Sequence, residues 1–124
     1  MLRTEITGVH TKVDDKLQKY INRKIGGLEK YLPRGARRSA HAEIRLKEKP
    51  AKDKNQCTCE VVLHVPIENI AVRETTVNMY AAVDIVEEKL KHSIRKYKEM
   101  HGTPRLHRRL MARFRRRVPD SESV

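Results

Sequence analysis

Apolar and polar positions divide this chain into six segments of regular period. Residues 2–9 alternate weakly up to Gly8, which predicts a first strand over about 2–8. Leu17, Ile21, Ile25, Leu28 and Leu32 then recur in steps of 4, 4, 3 and 4. That spacing predicts a helix over about 15–31, closed by Pro33 and Gly35. Asp14 is placed to cap its first turn, and Asp15 suits the positive end of the helix dipole. Residues 33–39 read as a basic loop. Ala40, Ala42, Ile44 and Leu46 alternate with His41, Glu43, Arg45 and Lys47, the pattern of a half-buried strand. A polar turn over 49–55 follows. Cys57, Cys59, Val61, Leu63 and Val65 alternate with Thr58, Glu60, Val62 and His64. After a turn at 66–69, Ile70, Val72 and Glu74 alternate with Ala71, Arg73 and Thr75. Finally Met79, Val83, Val86, Leu90, Ile94 and Tyr97 form one stripe of a long helix over about 78–101, with Gly102 as its stop.

The order β-α-β-β-β-α predicts an α+β domain. Short turns make the last three strands an antiparallel meander. Alternation leaves one sheet face wet, so both helices must pack side by side on the other. A length of 124 residues suits one such domain with a modest core.

Charge changes the picture. The chain carries 28 Lys+Arg against 16 Asp+Glu, a net charge of +12. Residues 103–124 hold seven Arg and two acids, so +5 lies there and +7 lies in residues 1–102. This balance suits a nucleic acid or an anionic membrane surface. On the long helix, Lys89, His92 and Lys96 share one flank, with no acid among them. Asp84, Glu87 and Glu88 fall on the other flank and the back, among Lys91, Arg95 and Lys98. On the first helix, Lys16, Lys19, Arg23 and Lys30 share one flank and Asp15, Asn22 and Glu29 the opposite side. If the two bare flanks meet, they make one positive surface; alternatively, each is a solvated helix face. Gly27 projects toward the basic flank of its helix. It is either a tolerated weak spot or a place where backbone can approach a phosphate.

Beyond Gly102, Leu106, Leu110 and Phe114 recur every four residues among Arg108, Arg109, Arg113, Arg115, Arg116 and Arg117. Arg-rich segments of this kind often order on RNA; the alternative, expected for the free protein, is a disordered basic tail. No apolar run is long enough to span a bilayer, and three spaced apolar anchors with no lipidation signal are weak support for a membrane surface, so no membrane partner is expected. The N-terminus has no apolar signal region, so a cytoplasmic protein is expected. Cys57 and Cys59 share one strand face and suit a reduced core, and with no second Cys pair no zinc site is expected there. His10, His41, His64, His92, His101 and His107 are scattered, with His41 and His64 on the wet face as ordinary surface. No phosphate loop or nucleophile elbow is present, so neither an enzyme nor a cofactor is expected. One Phe, four Tyr and no Trp are poor material for base stacking, which favours binding through backbone charge and shape.

Asn78-Met79-Tyr80-Ala81-Ala82-Val83-Asp84, followed by Lys89-Leu90, resembles a helix motif of the ribosome hibernation promoting factor and ribosome-associated inhibitor A family, also called the sigma-54 modulation protein family. Leu28-Glu29-Lys30-Tyr31, Ile6-Thr7-Gly8 and Leu63-His64-Val65 also resemble its short form, with matching spacing over residues 2–101. The resemblance implies a fold similar to a double-stranded RNA-binding domain with an added strand. It implies a ribosome-binding domain over 1–102 with an Arg-rich tail over 103–124, and no C-terminal dimerisation domain. It further implies a non-enzymatic factor that binds 16S rRNA on the small ribosomal subunit of the 70S ribosome. There it would overlap the mRNA channel and the A and P tRNA sites and so inhibit translation in stationary phase or stress. By position, the family's rRNA contacts map to Lys24, Lys30, Lys89, His92 and Lys96. Asn78 stands where Asp is usual, His92 where Arg is usual, and Gly27 where Lys is common. Lys16, Lys19, Arg23, Arg95 and the tail arginines are the expected compensation. A general duplex-RNA-binding module and a protein-interaction regulator of transcription are the alternatives.

Overall fold

A computed structural model describes residues 2–50, 52 and 54–101. Gly102 and the tail arginines lie outside the described residues. The elements are β1 (Arg3–Val9), α1 (Asp15–Gly26), a 3₁₀ segment (Gly27–Tyr31), α2 (Arg34–Arg37), β2 (His41–Lys49), β3 (Gln56–His64), β4 (Asn69–Thr76) and α3 (Met79–His101). The four strands form one sheet in the order β1-β2-β3-β4. β1 runs parallel to β2, with Arg3 opposite His41 and Val9 opposite Lys47. The remaining pairs are antiparallel, as short turns require.

Side-chain caps fix the start of each long helix. The Asp14 carboxylate accepts the Leu17 N–H at 2.8 Å. Asn78 Oδ1 accepts the N–H groups of Tyr80 at 2.8 Å and Ala81 at 3.4 Å. These bonds satisfy donors that the first turn leaves free.

The first helix is not continuous to residue 31. Its α-geometry stops at Gly26 and tightens into the 3₁₀ segment. Two adjacent glycines weaken the helix there by about 1 kcal/mol each relative to Ala. The Gly26 carbonyl also accepts the Leu2 N–H at 3.1 Å, which ties the start of β1 to this point. Residues 33–39, expected as a loop, contain the single turn α2. From α2, Arg37 folds back to donate to the carbonyls of Leu32 at 3.1 Å and Lys30 at 3.0 Å, closing the end of the preceding turn.

The core lies between one sheet face and the helices. Ile21, Ile25 and Leu28 meet Ile44, Leu46, Val61 and Leu63 from below and Val83, Val86, Leu90 and Ile94 from α3. Cys57 and Cys59 are free thiols on the core face. Burial, helped by Glu60, pushes the Cys59 thiol up to about 12, so it is an inert packing group. Thr58 keeps the wet-face phase of β3, opposite Thr75, but is buried there, its hydroxyl 2.8 Å from that of Thr75. Gly8 is required where the chain leaves β1: a Cβ there would stand 2.5 Å from the Thr11 carbonyl oxygen.

α1 lies over the β1 side of the sheet and α3 over β3 and β4. Thr4 of β1 donates to Asn22 Oδ1, which turns the Asp15–Asn22 side of α1 outward over the sheet edge. The basic flank of α1 therefore faces α3.

Candidate nucleic-acid interface

The two long helices run parallel, with their facing positions in step. Tyr20 packs edge-on against Tyr80, ring centroids 4.9 Å apart. The Tyr20 hydroxyl donates to Asp84, and this bond is the main cause holding the phenol above its ordinary pKa. Lys24 lies 3.5 Å from Asp84 and 3.6 Å from Glu87. These carboxylates, Glu87 first, raise the Lys24 ammonium above the usual lysine range, so it stays charged.

The interhelical seam is thus lined by α1 cations and by the acid-bearing flank of α3. The expected merger of two bare flanks does not occur. The Lys89 flank of α3 lies on the opposite side, over the β4 edge, where the Lys89 ammonium donates to Glu74 and reaches the Arg73 carbonyl at 3.5 Å. A helical wheel of α3 shows no acid on that flank, but the neighbouring strand supplies one. Two of the nine candidate helix residues, Lys24 and Lys89, are therefore committed to internal ion pairs.

The other seven point outward or rest on tyrosine rings. Lys16 sits over the Tyr80 ring at 5.8 Å, Arg23 over Tyr20 at 5.3 Å and Lys30 over Tyr31 at 5.2 Å. Lys19, His92, Arg95 and Lys96 are exposed. Among the described residues, no carboxylate lies within ion-pair distance of any of these seven. Cation–π contacts hold a charge in place without neutralising it, so the ring-borne cations stay available to an anion.

Sequence reasoning missed the tyrosines and Lys91. The Lys91 ammonium stands 5.8 Å from the Tyr31 ring, which Lys30 also approaches, and 3.4 Å from the Glu88 carboxylate. Arg23, Lys24, Gly27, Lys30, Tyr31, Glu87 and Lys91 line a shallow depression of about 100 Å³. Nothing lies within 4 Å of the position a Gly27 Cβ would take, so the backbone is open to the depression. The signal that could have found this was the seam order itself: Tyr20, Lys24 and Gly27 lie on the side of α1 that meets Tyr80, Asp84, Glu87 and Lys91.

Two parallel helices packed on one face of a four-stranded sheet, in the order β-α-β-β-β-α, define an α+β domain with a cation-bearing helix layer. The same fold occurs in the crystal structure of the Thermus thermophilus Protein Y N-terminal domain, with a TM-score of 0.58 and 18% identity, covering 77% of this chain and 97% of that one. It occurs again in a ribosomal subunit interface protein from Coxiella burnetii, with a TM-score of 0.60 and 18% identity, covering 78% and 98%.

Residues 4–101 match the family described as Sigma 54 modulation protein / S30EA ribosomal protein, and the chain belongs to that family. It is 36% identical over 109 residues to the ribosome hibernation promotion factor of Lactococcus lactis subsp. cremoris (strain MG1363), covering 85% of this chain and 55% of the relative. The factor of the same name from Staphylococcus aureus (strain COL) is 30% identical over 100 residues, covering 79% and 49%. The chain spans about half the length of these curated relatives.

Proposed function

We propose that this chain is a ribosome hibernation factor that binds the small ribosomal subunit through phosphates of 16S rRNA. Its action is steric and non-enzymatic: occupying the mRNA channel and the A and P tRNA sites prevents translation on idle ribosomes. It would work in the cytoplasm, on ribosomes. The observation that carries this reading is the set of seven helix cations that have no carboxylate within ion-pair distance among the described residues, carried on one two-helix layer. Relatives named ribosome hibernation promotion factor support it.

In this reading Lys19, Arg23, Lys30, His92, Arg95 and Lys96 contact phosphates directly. Lys24 and Lys89 act mainly by holding the layer together, and reach phosphate only by exchanging a carboxylate partner. The depression at Gly27 takes a phosphate between Lys30 and Lys91, with the backbone close because no side chain intervenes. Arg108, Arg109, Arg113, Arg115, Arg116 and Arg117 add further contacts along the RNA. Binding of this kind releases counterions and weakens steeply with salt.

Gradient sedimentation of ribosomes with the full chain tests the proposal. The protein should travel with 30S and 70S particles at low salt and leave them as salt rises. The Arg95→Glu/Lys96→Glu variant should stay at the top of the gradient. Co-sedimentation of that variant at moderate salt would overturn the site. Equal affinity for free duplex RNA and for ribosomes would instead favour a general duplex-binding module.

A further inference from the structure

The sheet face opposite α1 and α3 holds a second cluster of chemistry-bearing side chains. His41 of β2 and His64 of β3 are directly opposed in the antiparallel register. Their rings stack with centroids 4.5 Å apart and planes 14° from parallel. Glu43 lies two residues along β2 and so projects from the same face. Its carboxylate is 3.1 Å from His64 Nε2. One ligand atom from each of the three residues can be chosen so that all lie within 4.8 Å of one another.

We propose that His41, Glu43 and His64 form a binding site for a divalent transition-metal ion of the zinc class. A tetrahedral ion with bonds of about 2.0–2.1 Å holds its ligand atoms roughly 3.3 Å apart, so closure on an ion needs the stacked imidazoles to rotate until their nitrogens converge with the carboxylate. Two further observations favour a cation here. Among the described residues, His41 Nδ1 and His64 Nε2 are shielded from solvent yet have no hydrogen-bond partner, and the approach of Glu43 to His64 Nε2 is one of proximity rather than alignment. Such nitrogens are normally partnered.

The second observation is the charge pattern across the strands. In the row Thr7, Arg45, Glu60, Arg73, opposite charges alternate. In the row Glu5, Glu43, Val62, Ala71, two carboxylates are neighbours with no cation between them. Like charges on adjacent strands destabilise a sheet, and a bound cation removes that cost. Arg3 beside His41 in the next row acts in the other direction but is exposed and free to swing away.

Two imidazoles and one carboxylate suit zinc, nickel or copper rather than magnesium or calcium. Three protein ligands leave a fourth position open to water or to a partner's side chain. The cluster lies on the face opposite the basic helices, so this site is independent of the proposed RNA surface.

The test uses the full chain, free of any affinity tag and stripped of metal, titrated calorimetrically with zinc chloride near neutral pH. One ion should bind per chain. Zinc should shift the imidazole nitrogen resonances of His41 and His64, leaving those of His10 and His92 in place. His64→Gln and Glu43→Gln, checked for native circular dichroism, should each weaken binding by about tenfold or more. Substituted cobalt should give a visible spectrum without a thiolate charge-transfer band. Absence of saturable zinc uptake by the wild-type chain would overturn the proposal. So would undiminished affinity in His64→Gln, or a thiolate band that assigns the ion to Cys57 and Cys59.

Discussion

The seam between α1 and α3 and the outer surface of the same two helices are made from the same residue types, yet they differ in kind. In the seam, Lys24 is matched by Asp84 and Glu87, and Tyr20 donates to Asp84. On the outer surface, Lys19, His92, Arg95 and Lys96 are exposed with no carboxylate in reach among the described residues. A lysine count does not separate these two populations. Pairing does: a matched cation fixes the helix layer, and an unmatched one is open to a polyanion.

The largest effect should come from the outer surface. Arg95→Glu/Lys96→Glu should lower affinity for 30S subunits by on the order of a hundredfold and reduce the salt slope by about 2, as the loss of two phosphate contacts predicts. Its melting temperature should stay near wild type, because neither side chain has an ion-pair partner among the described residues. Stability loss with unchanged affinity would erase the distinction between the regions.

The seam should answer in the opposite sense. Asp84→Ala removes the acceptor of the Tyr20 hydroxyl and one partner of Lys24. Unfolding in urea should report a loss of about 1 kcal/mol. Ribosome affinity should hold or rise severalfold, since Lys24 is released toward the RNA. A drop in affinity at unchanged stability would place Asp84 in the binding surface itself.

Gly27→Ala probes the border between the two. Its backbone is helical, with φ −69° and ψ −11°, and an added Cβ meets nothing within 4 Å. Stability should rise by about 0.5–1 kcal/mol. Affinity should fall severalfold if phosphate approaches the backbone there. A stability gain with unchanged affinity would leave Gly27 as a weak point in the helix and nothing more.

The smallest effect belongs to Glu74→Ala, which frees Lys89 on the β4 side. A half-exposed ion pair of this kind contributes little, so stability should change by less than about 0.5 kcal/mol. A two- to fivefold gain in ribosome affinity, measured at fixed salt, would show that Lys89 had been withheld from the RNA.

These differences also mark how far periodicity alone reaches. The steps of 3 and 4 in Leu17–Leu28 and Met79–Tyr97, and the alternation in Ala42–Leu46 and Cys59–Val65, identified both helices, the wet face and nearly all of the core. Periodicity identifies the buried stripe of a helix but leaves open which flank meets a neighbour. That depends on the side of the sheet each helix occupies, which β1's parallel pairing with β2 decides. The acid-bearing flank of α3 therefore proved to be the inner one. Glu74 was visible in the core-facing phase of β4, and its pairing with Lys89 followed only once α3 was laid over that strand. The break at Gly26 has a similar origin, because the Leu2 N–H that meets its carbonyl comes from a distant part of the chain. The His41–His64 pair needed the β2–β3 register before two scattered histidines became neighbours.

The parallel pairing of β1 has a consequence in time. β2, β3, β4 and α3 follow one another through short connections, so their contacts close small loops and can form early. β1 is made first but has only β2 beside it, and it cannot pair until α1 has carried the chain back across the sheet. A folding chain should therefore pass through a stage in which the meander and α3 are assembled and one edge of β2 is still unpaired. Amides of Arg3–Val9 should exchange with solvent ahead of those in β3. At high concentration, that unpaired edge is where a second folding chain would insert its own first strand.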